Sequence, residues 1–176
     1  MTVDGTDNRR IRRTRMAVFN AFRTLVLTRR YDDIRVADII AEADIGKSTF
    51  YEHFNSKDDV LLFSIEPLFT ILADMTNGNA KTDDVSFVYM HFWEQRAFGR
   101  VLFSSDLYFK LVGKLADMIG QTRANSARDM PPRLYAVENA SAILGVLRAW
   151  FQGEFSCEAK ALAVYMREQF LRSDPF

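Results

Sequence analysis

The side chains with the clearest chemical potential lie close together, between positions 47 and 53. They are Lys47, Ser48, Thr49, Tyr51 and His53. Each can donate a hydrogen bond to a phosphate oxygen, and the hydroxyl groups of serine and threonine can also bond to the edges of bases. These residue types at this spacing favour contact with nucleic acid.

A basic run precedes this segment. Residues 9–30 contain eight arginines and no acidic residue, and five of the arginines fall within residues 9–15. An uncompensated run of this kind is typical of a chain that faces phosphates, although a solvated helix face is the alternative. We expect the first four arginines to contact phosphates or the adjacent minor groove: Arg9, Arg10, Arg12 and Arg13.

Enzymatic alternatives have little support. The string GKST at 46–49 matches the end of a phosphate-binding loop, but that pattern needs a glycine where the chain has Ala41 and a strand where it predicts a helix. The two histidines, His53 and His91, and the one cysteine lack the spacing of metal ligands. No nucleophile or paired-carboxylate motif stands out. We therefore expect no enzymatic activity, no cofactor and no metal, and we expect His91 in the core or in a pocket wall.

Composition predicts the elements that must position these side chains. Hydrophobic residues make up 48% of the 176 residues and aromatic residues 13%, which excludes a disordered chain. Four prolines and eight glycines are few, and no strand pattern is found, so we expect an all-α fold. The balance of 23 basic and 23 acidic residues excludes a uniformly basic coat protein. A single cysteine and the lack of a long apolar run predict a soluble, cytoplasmic protein.

The order of elements around Lys47 is that of a helix-turn-helix unit. A first helix is predicted by the apolar stripe Val18, Ala21, Phe22 and Leu25. A second helix, two turns long, is predicted by Val36, Ile39, Ile40 and Ala43. A tight turn at 44–46 follows, and Phe50 and Phe54 give a short third helix its inner face. This sequence of elements is the one that DNA-binding helix-turn-helix motifs use.

The segment resembles the TetR/AcrR family of bacterial transcriptional repressors, over about residues 12–62. The matching residues are Val36, Asp38, Ile39, Ala43, Ile45, Lys47, Thr49, Phe50, Tyr51, His53, Phe54 and Lys57. The resemblance implies that Lys47, Ser48 and Thr49 face a groove of the DNA. It also implies that Tyr51, His53 and Lys57 contact the phosphate backbone. The fold that it implies is an amino-terminal three-helix DNA-binding domain followed by a helical ligand-binding and dimerisation domain.

Three positions depart from the family pattern. Asp44 stands where a glycine is common, and aspartate tolerates a left-handed backbone better than most residues. Gly46 stands where a serine or threonine often caps the recognition helix. Arg35 stands where a threonine is frequent. Its longer side chain either reaches a phosphate or stays solvated, and we include it among the DNA-binding residues.

The remaining chain, residues 59–176, is expected to form the regulatory domain, after a DNA-binding domain at 1–58. Helices are predicted at about 60–75, 82–99, 105–123, 133–152 and 158–171. An effector cavity is predicted from Phe69, Met90, Trp93, Phe103 and Phe109, although aromatic residues at helical spacing also form ordinary cores. The composition favours a small hydrophobic effector or a flat cationic one.

The carboxyl-terminal helices predict a homodimer. Residues 135–151 are apolar around more than half of the helix circumference, so the helix has two faces to bury. By resemblance, the last two helices form a four-helix bundle with a second copy. The predicted interface consists of Val137, Ala140, Leu144, Leu147, Phe151, Leu162, Tyr165 and Met166. A helix buried within its own chain is the alternative.

The resemblance thus implies a function. It implies a homodimeric, ligand-responsive transcriptional regulator, a repressor, that binds a palindromic operator in double-stranded DNA. The alternative, from a different class of protein, is a helical dimer that has lost operator binding and acts as a protein-interaction module.

Overall fold

The computed structural model describes residues 4–104, 107–122 and 131–172. Within these ranges all regular structure is helical, which confirms the all-α prediction. The chain divides into two compact units between Glu66 and Pro67, eight residues after the boundary predicted at 58/59. None of the described helices is long and apolar enough to cross a membrane.

The helices of the two units follow one another along the chain. In the described residues, the first unit contains α1 (Asp4–Thr28), α2 (Val36–Glu42), α3 (Lys47–Tyr51) and the start of α4 (Lys57–Met75). A single 3-10 turn, Tyr31–Asp33, lies between α1 and α2. The second unit contains the end of α4 and then α5 (Thr82–Glu94), α6 (Arg96–Ser104), α7 (Leu107–Thr122), α8 (Pro132–Gln152) and α9 (Ala159–Arg172).

Two helix boundaries differ from the prediction, and a third cannot be compared at its ends. Helix α1 begins at Asp4, so the arginines expected on an arm lie on the helix itself. The predicted helix 82–99 is two helices, because Gln95 leaves helical geometry with φ −97° and ψ 18° and α6 starts at the next residue. The predicted helix 105–123 is present as α7, and its predicted first and last residues lie outside the described ranges.

The core of the first unit forms where the predicted apolar stripes meet. Its fully buried residues include Val18, Phe22, Ile39 and Phe50, from three different helices. Phe54 follows α3, and its ring centroid lies 5.8 Å from that of Phe50 and 5.6 Å from that of Phe63 on α4. The first turns of α4 therefore supply part of this core, which is why the unit extends to Glu66.

Helix α4 begins at a reciprocal cap. The Ser56 hydroxyl accepts a hydrogen bond from the backbone N–H of Asp59 at 3.1 Å. The Asp59 carboxylate in turn accepts one from the backbone N–H of Asn55 at 2.9 Å. Two N–H groups that would otherwise lack a helical partner are satisfied in this way.

The second unit is built around α8. Helices α6 and α7 pack against α8, and α9 packs against α5. Trp150 and Phe151 of α8 are buried in its core. A β-carbon at Gly99 of α6 would lie 2.8 Å from the Phe151 ring. The glycine therefore lets α6 approach α8 closely.

Gly99→Ala should destabilise the second unit, because the added methyl group overlaps the Phe151 ring. Overpacking of this kind costs about 1–3 kcal/mol, so we expect a lower Tm in scanning calorimetry. Gly113→Ala on α7 is the matched control, since no atom beyond its own stretch of helix lies within 4 Å of its β-carbon position and alanine favours a helix. Two alanine variants that both raise the Tm would contradict the close approach of α6.

Candidate nucleic-acid interface

Helix α3 presents most of the predicted donors at the surface. Lys47 and Ser48 are exposed, and Tyr51 is 49% exposed. Lys47 and Tyr51 are four residues apart and share one flank of the helix. Thr49 and His53 have the same spacing on the opposite flank, where both are half-buried. The face between the two flanks belongs to Ser48.

Helix α2 is fixed at its first turn by one carboxylate. Asp38 accepts a hydrogen bond from the backbone N–H of Arg35 at 2.8 Å. The same carboxylate forms an ion pair with Arg29 at 3.4 Å, next to the end of α1. Helix α2 therefore starts at a defined place, and the exposed Arg35 lies at that start.

The turn from α2 to α3 has the backbone that the sequence predicts. Asp44 has a φ of 51°, in the left-handed region, and it is the only non-glycine residue with a positive φ in the described ranges. Gly46 precedes α3 in an extended conformation, and no side chain caps the helix. A β-carbon there would lie 3.6 Å from the Thr49 hydroxyl oxygen and 3.8 Å from that of Ser48. The missing side chain thus leaves space beside both hydroxyl groups.

A groove between α2 and α3 was not predicted. It is open to solvent, has a volume of about 390 Å³, and is lined by Val36, Ala37, Ile40, Ala41, Asp44, Ile45, Lys47 and Tyr51. Val36 and Ile40, which the sequence analysis placed in a buried stripe, are only half-buried. Helix α2 has two turns, and Ile39 alone among its residues is buried.

The groove combines an apolar floor with donors at one side. Lys47 and Tyr51 of α3 supply the donors, and apolar side chains of this kind contact the methyl group of thymine. A signal for the groove was present in the sequence, because Ala37 and Ala41 are one helical turn apart and too small to fill a core. The small side chains leave space on the side of α2 that faces α3.

Lys57 makes contacts within the first unit that the sequence did not predict. Its ammonium group donates hydrogen bonds to the carbonyl oxygens of Tyr31 at 2.7 Å, Ile34 at 3.0 Å and Asp32 at 3.4 Å. The ammonium also lies 4.2 Å from the Tyr31 ring centroid, and the Tyr31 hydroxyl donates to Asp58. An ammonium group has three protons, so these carbonyls match its full capacity. Lys57 thus joins the start of α4 to the connection between α1 and α2.

Six of the eight arginines in the basic run lie on α1 rather than on a separate arm. Arg9, Arg12 and Arg13 are exposed and share one helix face, since they are three and four residues apart. Arg10 is exposed as well and lies about 100° from Arg9 around the helix. Arg15 is half-buried, with its guanidinium 5.5 Å from the Phe63 ring centroid. One face of α1 therefore carries three exposed arginines, and Arg15 belongs to the unit's own packing.

The five predicted effector residues do not form one surface. Phe69 and Phe103 are buried, whereas Met90 is exposed and Phe109 is 74% exposed. Trp93 is 37% exposed and stacks on Trp150. Met90 and Phe109 thus differ in exposure from the buried pair, which helical spacing could not show, and the effector site stays a prediction.

Six of the eight predicted dimer residues are buried within their own unit. They are Ala140, Leu144, Leu147, Phe151, Leu162 and Met166. Val137 and Tyr165 are exposed. The structure thus corrects the prediction, because the stripe assigned to a partner faces the neighbouring helices of the same chain, which include α6 and α7.

The remaining candidates for chemistry are dispersed. His91 is half-buried and stacks on Phe87, with ring centroids 6.2 Å apart. Across the described ranges, no three His, Cys, Asp or Glu side chains lie close enough to hold a metal ion. The donors on α3 are therefore the group of side chains with the clearest function.

Helices α1 to α3, with exposed donors on the third, define a helix-turn-helix DNA-binding protein. Residues 23–62 match the family model of bacterial regulatory proteins of the tetR family. A segment of 42 residues is 48% identical to the uncharacterized HTH-type transcriptional regulator YwcC of Bacillus subtilis (strain 168). That segment represents 24% of this chain and 19% of the relative's length, so most of the relative is unmatched.

Solved structures match nearly the whole chain. A TetR transcriptional regulator from Streptococcus agalactiae 2603V is 27% identical, with a TM-score of 0.57, over 94% of this chain and 97% of that one. The dihydroxyacetone kinase operon activator DhaS shares the fold, with a TM-score of 0.56 and 22% identity over 91% and 95% of the two chains. Residues 23–62 thus carry the DNA-binding domain of tetR-type bacterial regulatory proteins, and the chain as a whole is similar to a TetR transcriptional regulator.

Proposed function

We propose that the protein is a homodimeric repressor that binds a palindromic operator and leaves it when a small ligand binds the second unit. The observation that carries this proposal is the set of exposed donors on α3, oriented by the buried Phe50. Two copies of α3 can enter successive major grooves when they lie about 34–36 Å apart. Such an arrangement reads a palindrome because each half-site meets the same residues.

The contacts proposed on each half-site follow from exposure. Lys47 and Ser48 reach base edges in the major groove, with Thr49 beside them on the half-buried flank. Tyr51, His53 and Arg35 bind phosphates. The three exposed arginines on one face of α1, Arg9, Arg12 and Arg13, bind phosphates or the adjacent minor groove.

The test is fluorescence anisotropy with DNA fragments from upstream of the protein's own gene, measured in rising salt. We expect one fragment to bind far more tightly than random duplex, with an affinity that falls steeply as salt increases. If no genomic fragment exceeds random duplex, operator binding is lost and the chain is a protein-interaction module instead.

Arg12→Ala combined with Arg13→Ala should reduce the salt dependence of binding. Each lost phosphate contact lowers the slope of log K against log salt by about one unit, so we expect a reduction of about two. Lys160→Ala together with Lys81→Ala is the matched control, since both lysines are exposed in the second unit. An unchanged slope would identify the arginines as a solvated helix face.

The homodimer is proposed to form through the exposed sides of α8 and α9. Large apolar side chains are exposed there: Leu134, Val137, Tyr165 and Leu171. Val137→Glu should therefore weaken the dimer at least tenfold in analytical ultracentrifugation, because a carboxylate at the interface loses its water. Phe109→Glu on α7 is the control, since that residue is even more exposed. Equal dimer affinity for both variants would exclude this face of α8.

The ligand response is proposed to act through α4, whose residues belong to both units. A ligand can release the operator only if it binds the DNA-free conformation more tightly. Moving the balance from 1:99 to 99:1 needs about 5.5 kcal/mol of differential binding. Titration of a ligand against the operator complex measures this difference directly, and a ligand without any such difference leaves operator affinity unchanged.

A further inference from the structure

Three polar groups in the core of the second unit have no hydrogen-bond partner among the described residues. They are the Ser86 hydroxyl, the Tyr89 hydroxyl and the Trp150 indole N–H. All three side chains are more than nine-tenths buried. Native cores contain few such groups, because a buried donor without a partner has lost its bonds to water and gained none. Three of them in one core call for a partner that the described residues do not supply.

The three groups belong to neighbouring side chains. Ser86 and Tyr89 are three residues apart on α5 and share a face of that helix. The Tyr89 ring centroid lies 6.4 Å from that of Trp150 on α8. Trp93, the next residue along this face of α5, stacks on Trp150 with centroids 4.5 Å apart and 22° between the ring planes. The groups thus occupy one region between α5 and α8, with aromatic walls.

The region offers hydrogen-bond donors. An indole N–H can donate but cannot accept. Burial raises the pKa of the Tyr89 hydroxyl well above its ordinary value, so the hydroxyl keeps its proton at neutral pH and can donate too. A serine hydroxyl can do either. An acceptor oxygen is therefore the one partner that suits all three groups.

The lack of buried charged residues in the described part of the chain favours a neutral acceptor over a charged one. The buried polar residues of the described ranges are Thr76 and Ser86, and no charged residue is buried there. Arg96, whose guanidinium lies 4.9 Å from the Trp93 ring centroid, is exposed. A carboxylate among the three groups would therefore be a buried charge without a counterion, and a cation would meet no buried carboxylate. A neutral oxygen avoids both costs.

We propose that this region binds a small neutral molecule whose carbonyl oxygen accepts hydrogen bonds from Trp150 and Tyr89, with Ser86 beside them. The apolar body of the molecule contacts Trp93, the partly exposed side chain that covers Trp150. This assignment rests on the proposed ligand response and narrows it to neutral ketones, esters or amides. On this assignment the hydrophobic effector is the one we expect of the two that composition favoured, because no carboxylate is buried in the described ranges to pair with a flat cation.

The two tryptophans make the region directly observable. They are the only tryptophans in the chain, so protein labelled with ¹⁵N gives two indole N–H signals, which Trp93→Phe assigns. Three probes of matched shape are titrated without DNA: cyclohexyl methyl ketone, ethylcyclohexane and cyclohexanecarboxylate. We expect only the ketone to move the Trp150 indole proton downfield, with saturation.

Tyr89→Phe separates a ligand contact from a structural one. The variant should bind the ketone roughly five- to tenfold more weakly, which corresponds to the loss of one hydrogen bond. The Tm of the free protein should stay the same or rise, because the hydroxyl has no protein partner to lose. Tyr165→Phe is the control, since that tyrosine is 57% exposed on α9, and it should change neither quantity.

Three outcomes would overturn the proposal. A lower Tm for free Tyr89→Phe would mean that an internal water or another part of the chain already satisfies the hydroxyl. If the ketone leaves the Trp150 signal unshifted, or if ethylcyclohexane shifts it equally, the carbonyl oxygen does not bind the indole N–H. By contrast, a chain that binds the ketone but no operator would preserve this site and overturn the proposed repressor function.

Discussion

Lys47→Ala is expected to lower the affinity for the operator about ten- to hundredfold and to leave the affinity for random duplex nearly unchanged. Lys47 is the first residue of α3, is exposed, and lines the groove between α2 and α3. A lysine in this place can donate to the acceptors of guanine in the major groove, and such contacts carry sequence information. The loss should therefore fall on specific binding.

Tyr51→Phe should be compared with Lys47→Ala, because it removes a proposed phosphate contact instead of a proposed base contact. The two residues lie on the same flank of α3, but a tyrosine hydroxyl on a phosphate carries no sequence information. Its removal should weaken operator and random duplex by the same factor. Lys160→Ala on α9 is the control for loss of one exposed lysine. If Lys47→Ala weakens both DNAs equally, Lys47 is a phosphate contact and the bases are read elsewhere.

Local periodicity was sufficient to predict the first unit. Val18, Phe22 and Phe50 are buried as their spacing predicts, because α1 and α3 each have one apolar side and a polar remainder. Asp44 has a left-handed backbone, at the position where the resemblance indicated that a glycine is common. These properties depend on residues within one or two helical turns, which the sequence displays directly.

Properties that depend on distant partners were not predictable in this way. Helix α8 is apolar on several sides, and sequence alone does not tell a side that meets α7 from one that meets a second chain. Ala140, Leu144 and Leu147 were therefore assigned to a partner although they are buried in their own unit. The sequence also could not predict that the Tyr89 hydroxyl and the Trp150 indole N–H lack partners among the described residues, because a missing hydrogen bond can be recognised only once the neighbours are known.

Lys57 is the residue for which resemblance and structure differ most. The family pattern implies a phosphate contact, whereas the ammonium group is bonded to carbonyls 23 and 26 residues earlier in the chain, those of Ile34 and Tyr31. Backbone carbonyls leave no trace in a sequence pattern, so this role could not be predicted. A phosphate contact and a bond to backbone carbonyls predict opposite effects when Lys57 is replaced by methionine.

Lys57→Met is expected to lower the stability of the first unit and to leave the salt dependence of DNA binding unchanged. Methionine retains the apolar stem beside the Tyr31 ring but donates no hydrogen bond. Hydrogen bonds to a charged donor contribute about 1.5–3 kcal/mol each, and Lys57 is only half-buried, so we expect a loss of about 2 kcal/mol. Lys160→Met, at an exposed site, should cost nothing measurable.

Two spectroscopic signals assign the loss to the correct unit. Both tryptophans lie in the second unit, so tryptophan fluorescence follows that unit, while far-ultraviolet circular dichroism follows all helices. Lys57→Met should shift the first part of the dichroism transition to lower temperature and leave the fluorescence transition in place. If instead both transitions stay unchanged and the salt slope falls by about one unit, Lys57 leaves its carbonyls to bind a phosphate. The bonds to Tyr31 and Ile34 would then exist only in the DNA-free protein.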